Sequence, residues 1–234
     1  TVGAYFFVII QHLTKARWSV VVRRIPETLT WSFPLLAVLG IPILLGMHDL
    51  YHWTHHDLFD PTSEHYDPIL ADKEGYLNTP FFLARVAFYF IFWTFISFKL
   101  YTLSVRQDND HAPSIPKLQR KYSAIGLRIG AVVTSFAAFD ILMSLDPHWF
   151  STIFGVYFFG GAFMSIMAVM ILVSLVLRNN GMLKKEIKVD HFQDLGKFLF
   201  AFTVFWAYIA FSQYMLIWYG NLPEETIFFR HRLE

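Results

Sequence analysis

Four histidines and an aspartate crowd one stretch, His48, Asp49, His52, His55 and His56, written HDLYHWTHH. If a helix continues past Gly46, the four imidazoles fall within ~100° of one face. Rings at i and i+4 can share a metal. Titrating near neutral pH, they can also collect protons at the mouth of a pathway. A polar interfacial helix following a membrane span accounts for the same residues. One such box is too little for desaturase chemistry, and the reading here is that the chain binds no metal. Two ionisable residues lie inside long apolar runs, Arg85 and Asp140. Such residues are costly in hydrocarbon and usually face a bundle interior. Counting 1.5 Å per residue from the ends of their runs puts both ~8 Å below the outer interface, and Tyr157 and Gln213 reach a similar level on later runs. They read either as a buried Arg85–Asp140 ion pair that only fixes packing or as a proton relay or the polar lining of a water-filled half-channel; residue types alone do not separate the two.

The string Ser144-Leu-Asp146-Pro147-His148-Trp149 follows. A carboxylate before proline suits a helix N-terminus, Asp146 as cap and Pro147 at the first helical position. Trp149 then reads as an interface anchor. The alternative makes Asp146 and His148 the outer mouth of a route past Asp140. Flat rings such as Trp53 and Phe139 could bound a quinone head group, which needs an apolar slot with few polar anchors. No histidine lies in the interior of an apolar run, which disfavours a transmembrane bis-histidine haem. No phosphate loop, dinucleotide fingerprint or Ser–His–Asp arrangement is present.

The elements that must position these residues are long apolar runs at 29–46, 80–98, 124–145, 151–177 and 195–219, with 1–10 reading as the end of a sixth. A bilayer core of ~30 Å needs about 20 such residues in a helix, so the expectation is an all-α, polytopic transmembrane bundle of about six spans. Residues 1–234 read as one bundle and as a portion of a longer chain. Pro34, Gly40 and Pro42 predict a kink in the first full span, and glycines at 126, 130, 155, 160 and 161 predict close helix packing. The chain is 55% hydrophobic and 16% charged, against about a quarter charged in soluble domains. That composition speaks against a soluble enzyme, a disordered tail or a nucleic-acid partner. Lipid is the expected surround. The absence of cysteine removes disulfide, thiolate and iron–sulfur chemistry from this chain. Connections 11–28, 99–128 and 178–197 hold four, six and five of the nineteen basic residues. The positive-inside rule places them in the cytoplasm and 47–79, 146–150 and 220–234 outside.

Three longer strings carry a family resemblance: Gln11-His-Leu-Thr-Lys-Ala-Arg17-Trp18-Ser19-Val-Val-Val-Arg23-Arg24, Gly46-Met-His-Asp-Leu-Tyr-His-Trp53 and Phe139-Asp-Ile-Leu-Met-Ser-Leu-Asp146-Pro-His-Trp-Phe-Ser-Thr-Ile-Phe-Gly155, with Asn221-Leu-Pro-Glu-Glu-Thr226 near the end. The sequence resembles the ActF-like, NrfD/PsrC-related membrane subunits of bacterial alternative complex III, a quinol:cytochrome c oxidoreductase. The resemblance implies a ten-helix bundle, about half of it represented here, in the bacterial inner membrane. It implies partner subunits carrying iron–sulfur clusters and c-type haems, an NrfD-like sister subunit better suited to the quinol pocket, and menaquinol as a candidate substrate. Cofactors would reside in the partners and none in this chain. The positions that match the family strings and could move protons are His48, Asp49, His52, Asp140, Asp146 and His148. Two rivals stay open, a quinol-binding redox subunit and a free-standing secondary transporter.

Overall fold

Hydrocarbon offers the backbone no hydrogen-bond partner, so a long apolar run satisfies its N–H and C=O groups internally by coiling into a helix. The computed structural model describes residues 1–233, and each regular element among them is helical. In chain order these are α1 (Val2–Thr14), α2 (Arg24–Leu45), α3 (Thr79–Asn109), α4 (Ser114–Ile141), α5 (Phe154–Asn179), α6 (Val189–Gly220) and α7 (Pro223–Leu233). Helices α2 to α6 are long and apolar enough to cross a membrane, which makes this a multi-pass membrane protein by length and composition. The first of them starts at Arg24, earlier than the apolar run alone predicts. Helix α1 has 13 residues and covers roughly 20 Å, less than the hydrocarbon thickness.

Short as it is, α1 forms the centre of the bundle. Ala4, Tyr5, Phe6, Phe7, Val8 and Ile9 are all buried, and a helix apolar on every side has to be enclosed on every side. It packs against α4, α5 and the N-terminal half of α2. Missing side chains allow that approach. A Cβ on Gly3 would lie 2.0 Å from the Ala162 carbonyl oxygen, and one on Gly130 would lie 2.6 Å from the Tyr5 hydroxyl. That hydroxyl donates to the Gly126 carbonyl at 3.0 Å. Of the glycines expected to allow close packing, Gly126 and Gly130 face α1, Gly155 faces Ser135 of α4, and Gly160 and Gly161 face Phe205 and Trp206 of α6.

The expected kink in α2 resolves into three helical pieces, with a 3₁₀ turn at Thr30–Ser32 and a break at Gly40. Pro34 and Pro42 each remove a donor and crowd the carbonyl four residues back, which displaces the chain from α geometry at those two points. Helix α6 pairs with α5 through rings, Phe163 with Phe202 at 4.3 Å and Tyr157 with Trp206 at 5.2 Å. Helices α2 and α6 keep most of their apolar surface uncovered.

Residues 46–78 form a folded cap over the outer ends of α3 and α4. Its core consists of Met47, Tyr51, Trp53, Leu58, Leu70 and Leu77, packed on Phe82 and Val86 of α3. Helix α7 folds back on the same side, where Phe228 stacks on Trp149 at 3.9 Å. Trp149 is therefore 2% exposed and packed in protein, where the sequence suggested an interface anchor.

The close approach of α1 to α4 yields a direct expectation. Gly130→Ala should overpack against Tyr5 and cost about 1–3 kcal/mol, lowering the melting midpoint in detergent. Gly75→Ala, which meets open space, should leave it unchanged.

Candidate functional site

Asn78 caps α3, its side chain accepting from the Phe81 N–H at 3.0 Å, and Pro80 occupies the first turn. That fixed start puts Arg85 about two turns inward, facing the outer end of α4. Its guanidinium binds Asp140 in bidentate fashion, Nε to Oδ2 at 2.8 Å and Nη2 to Oδ1 at 3.1 Å. Tyr89, one turn further along α3, donates its hydroxyl to Oδ2 at 2.6 Å. Nη1 donates to the Tyr76 carbonyl at 3.0 Å, and the guanidinium lies 3.9 Å from the Tyr76 ring centre and 4.2 Å from that of Phe81. Asp140 is fully enclosed and Arg85 is 10% exposed. Two aromatic faces and a carbonyl thus replace the water that the arginine has lost. The cap joins the same cluster. Tyr51 donates to the Ile141 carbonyl at 3.0 Å, and Ser144 donates to the Asp140 carbonyl. Burial, then the neighbouring Asp140 carboxylate, push the phenol pKa values of both Tyr51 and Tyr76 up, so both remain protonated donors.

The other two members of the expected layer sit elsewhere. Tyr157 stacks on Trp206 and packs against Phe154. Gln213 is buried, and its Nε2 has no hydrogen-bond partner. Pairing thus involves α3 and α4 alone, with the outer cap as third contributor. A depth count along isolated helices gives level but not rotation, which is why it groups four residues where the fold joins two.

Asp146 does not cap α5. The chain turns there, with the Trp149 N–H donating to the Asp146 carbonyl at 3.2 Å, and α5 starts only at Phe154 after an Ile153 that offers no side-chain cap. Aspartate followed by proline suits the first two positions of a type I β-turn as well as it suits a helix start, and here the turn prevails. Lys73 threads this turn, its ammonium donating to the Pro147 carbonyl at 2.7 Å. Burial pulls Lys73 below the ordinary lysine pKa while the Asp67 and Asp146 carboxylates pull it back up. His148 Nε2 meets Asp67 Oδ2 at 2.5 Å. Asp67 Oδ1 caps the short helix Pro68–Ala71 by accepting from the Ile69 and Leu70 N–H groups.

The histidine stretch does not continue as a helix. Helix ends at Leu50, Tyr51 is extended, and two 3₁₀ turns follow, His52–Thr54 and His56–Leu58. Tyr51 and Trp53 both point into the cap core while His52 between them stays exposed. That alternation demands a two-residue period where a helix would impose 3.6. The rings still gather, His48 on His55 at 4.0 Å and His52 on His55 at 5.7 Å, with His48, Asp49 and His52 exposed. Among the described residues no three histidine, aspartate or glutamate side chains converge as a metal-ligand group. Trp53 is 1% exposed against Tyr51 and Phe82. Phe139 lines a different place, an apolar cleft of about 240 Å³ with Tyr76, Met143 and Trp149.

Sequence reasoning missed a second polar cluster at the other end of α3. Glu27 is 2% exposed on α2. It accepts from Arg23 Nε at 3.0 Å and from the Ser104 hydroxyl at 2.6 Å, with His12 Nε2 at 3.7 Å and Arg24 Nε at 3.7 Å. The signal was present: Arg23 and Glu27 stand four apart, and Pro26 fits a helix first turn. Tyr89, four after Arg85, carried a comparable signal. No protein-family model matches this chain, and no curated protein matches its sequence.

Two outcomes follow from this geometry. Arg85→Gln strands an enclosed carboxylate and should cost about 3–5 kcal/mol, read as a large fall in melting midpoint. The double change Arg85→Gln with Asp140→Asn should recover much of the loss. Near the cap, burial raises the Asp67 pKa, but the His148 contact and the two N–H groups outweigh it and hold that carboxyl below its ordinary value. Its stabilising contribution is therefore present above the ordinary aspartate pKa and lost as pH falls through the lowered one. Hydrogen exchange of residues 67–73 should rise over that acid range, and Asp67→Asn should abolish its share of the pH dependence.

Proposed function

We propose that this chain is an integral membrane subunit of a respiratory quinol:electron-acceptor oxidoreductase of the alternative complex III type. In this reading the subunit belongs to an NrfD-like bundle, α1 completes a sixth span, and the membrane is the bacterial inner membrane. The motif strings at 11–24, 46–53, 139–155 and 221–226 support the assignment. The uncovered apolar flanks of α2 and α6 suit a scaffold enclosed by lipid and by further helices. Iron–sulfur clusters and c-type haems belong to partner subunits, beside an NrfD-like sister that handles menaquinol.

The second part of the proposal concerns protons, and the enclosed Arg85–Asp140–Tyr89 constellation is the observation that carries it. Two arginine N–H groups and a phenol occupy the Asp140 oxygens, so a proton reaches them only as the pair opens. Arg85 has somewhere to go: the Tyr76 carbonyl and two ring faces already hold it. Asp140 takes the proton as the guanidinium moves toward those groups, and Tyr89 keeps its hydrogen bond throughout. Asp146, His148, Asp49, His48 and His52 lie on the cap side and exchange protons with the outer compartment.

Purification of a tagged copy in mild detergent tests the first part. Absorbance of c-type haem and iron–sulfur signals should co-elute, and an isolated monomer active in transport would overturn the assignment. For the second, Asp140→Asn in the assembly should keep electron transfer and reduce proton release per electron. Unchanged electron transfer with unchanged proton release leaves Asp140 a structural role only.

A further inference from the structure

The cytoplasmic end of the bundle contains a cleft of about 550 Å³ between α1, the loop that follows it, α3 and α4. Its lining carries four cations, Lys15, Arg17, Arg23 and Arg120, and no carboxylate. Arg23 is committed to Glu27, which lines an adjoining cleft. Lys15, Arg17 and Arg120 form no ion pair among the described residues, and the Arg120 Nε contact to the Pro116 carbonyl consumes no charge. Neutral donors stand beside them. Gln11 uses its Oε1 to accept from Ser19 at 2.9 Å, leaving its N–H groups unclaimed by protein. His12, 6% exposed, turns its Nε2 toward Glu27 at 3.7 Å and so closes the inner wall of the cleft. Lys15 is held at φ 53°, ψ 37° at the end of α1, a left-handed position that a side chain occupies at a cost.

Three uncompensated cations with an amide donor in one concavity recognise a phosphate group. Depth identifies the source. Arg85 lies ~8 Å below the outer interface, and Ser104, nineteen residues further along α3, lies roughly 28 Å beyond it, just past the far edge of a ~30 Å hydrocarbon core. Gln107, in the cleft lining, lies one turn beyond Ser104, roughly 5 Å further toward the cytoplasm. That is the depth of lipid headgroups, and Val20, 53% exposed, offers an apolar edge beside the charges. We propose that this cleft binds the phosphate of an anionic phospholipid of the cytoplasmic leaflet, clamping α1 and its loop to α3 and α4.

The test uses the intact subunit in detergent and short-chain lipids below their micelle concentrations. Dihexanoyl-phosphatidylglycerol should raise the melting midpoint, and dihexanoyl-phosphatidylcholine should do so far less. Half-saturation should weaken at least ten-fold in Arg17→Gln with Arg120→Gln. It should hold in Lys184→Gln with Lys185→Gln, which removes equal charge from a different cytoplasmic loop. Should the first double variant fail to fold, Lys15→Gln, exposed at the end of α1, is expected to weaken binding several-fold. Equal shifts with both lipids, equal losses in both double variants, or an unaffected Lys15→Gln overturn the proposal. Inorganic phosphate reproducing the whole shift, with the same dependence on Arg17 and Arg120, assigns the cleft to a soluble anion and overturns the lipid source.

Discussion

A charge taken out of water must bring its own counter-charge and hydrogen bonds, or the fold that buries it does not form. This constraint acts twice in the chain, at opposite ends of the same helix. At the outer end Asp140 receives Arg85 and the Tyr89 hydroxyl; at the inner end Glu27 receives Arg23 and the Ser104 hydroxyl. Helix α3 supplies a partner to both. Each cluster joins α3 to a different neighbour, α4 outside and α2 inside, and between them the register of three helices is set by groups that have one good arrangement. Apolar packing tolerates small rotations; a bidentate arginine–carboxylate pair does not.

Between these two fixed points lies α1, whose position depends on absence of side chains. The Tyr5 hydroxyl needs an acceptor because it is enclosed, and it reaches the Gly126 carbonyl only because Gly126 and Gly130 leave backbone exposed on α4. Burial pushes the Tyr5 ring inward, hydrogen bonding orients it, and glycine makes room. Helix α1 thereby becomes the element around which α4 and α5 are arranged, and its polar end, Gln11 and His12, is delivered to the cluster around Glu27.

Sequence alone makes the helices legible because hydrocarbon leaves a run of twenty apolar residues a single solution, and it makes Arg85 and Asp140 legible because charges in such runs are rare. It fails where two local rules compete. Asp146-Pro147 satisfies both a helix cap and a β-turn, and only the contacts of Lys73 and Trp149 decide for the turn. The stretch from His48 to His56 has helical spacing for its imidazoles and strand-like spacing for Tyr51 and Trp53, and the buried rings prevail because their burial is worth more than exposed imidazole alignment. Glu27 is hidden by the opposite error: a charged residue among arginines reads as a loop, whereas its carboxylate lies inside because those same arginines escort it.

The outer cap gives the Arg85–Asp140 pair a character that a simple packing lock would lack. In an enclosed lock all ligands of the pair come from the helices that it joins, and nothing on the solvent side affects it. Here the guanidinium also rests on Tyr76, and the Asp140 turn is held by Tyr51 through Ile141 and by Ser144. Those residues belong to a surface structure that is itself tied down by titratable contacts, His148 with Asp67 and Lys73 with the Pro147 carbonyl. Loosening the cap would remove Tyr76 from beneath the arginine and admit water to a carboxylate that is otherwise dry. The buried pair thus rests in part on the same surface structure that the Asp67–His148 contact holds in place, and on the proposed function that shared support is what would let the outer side reach Asp140.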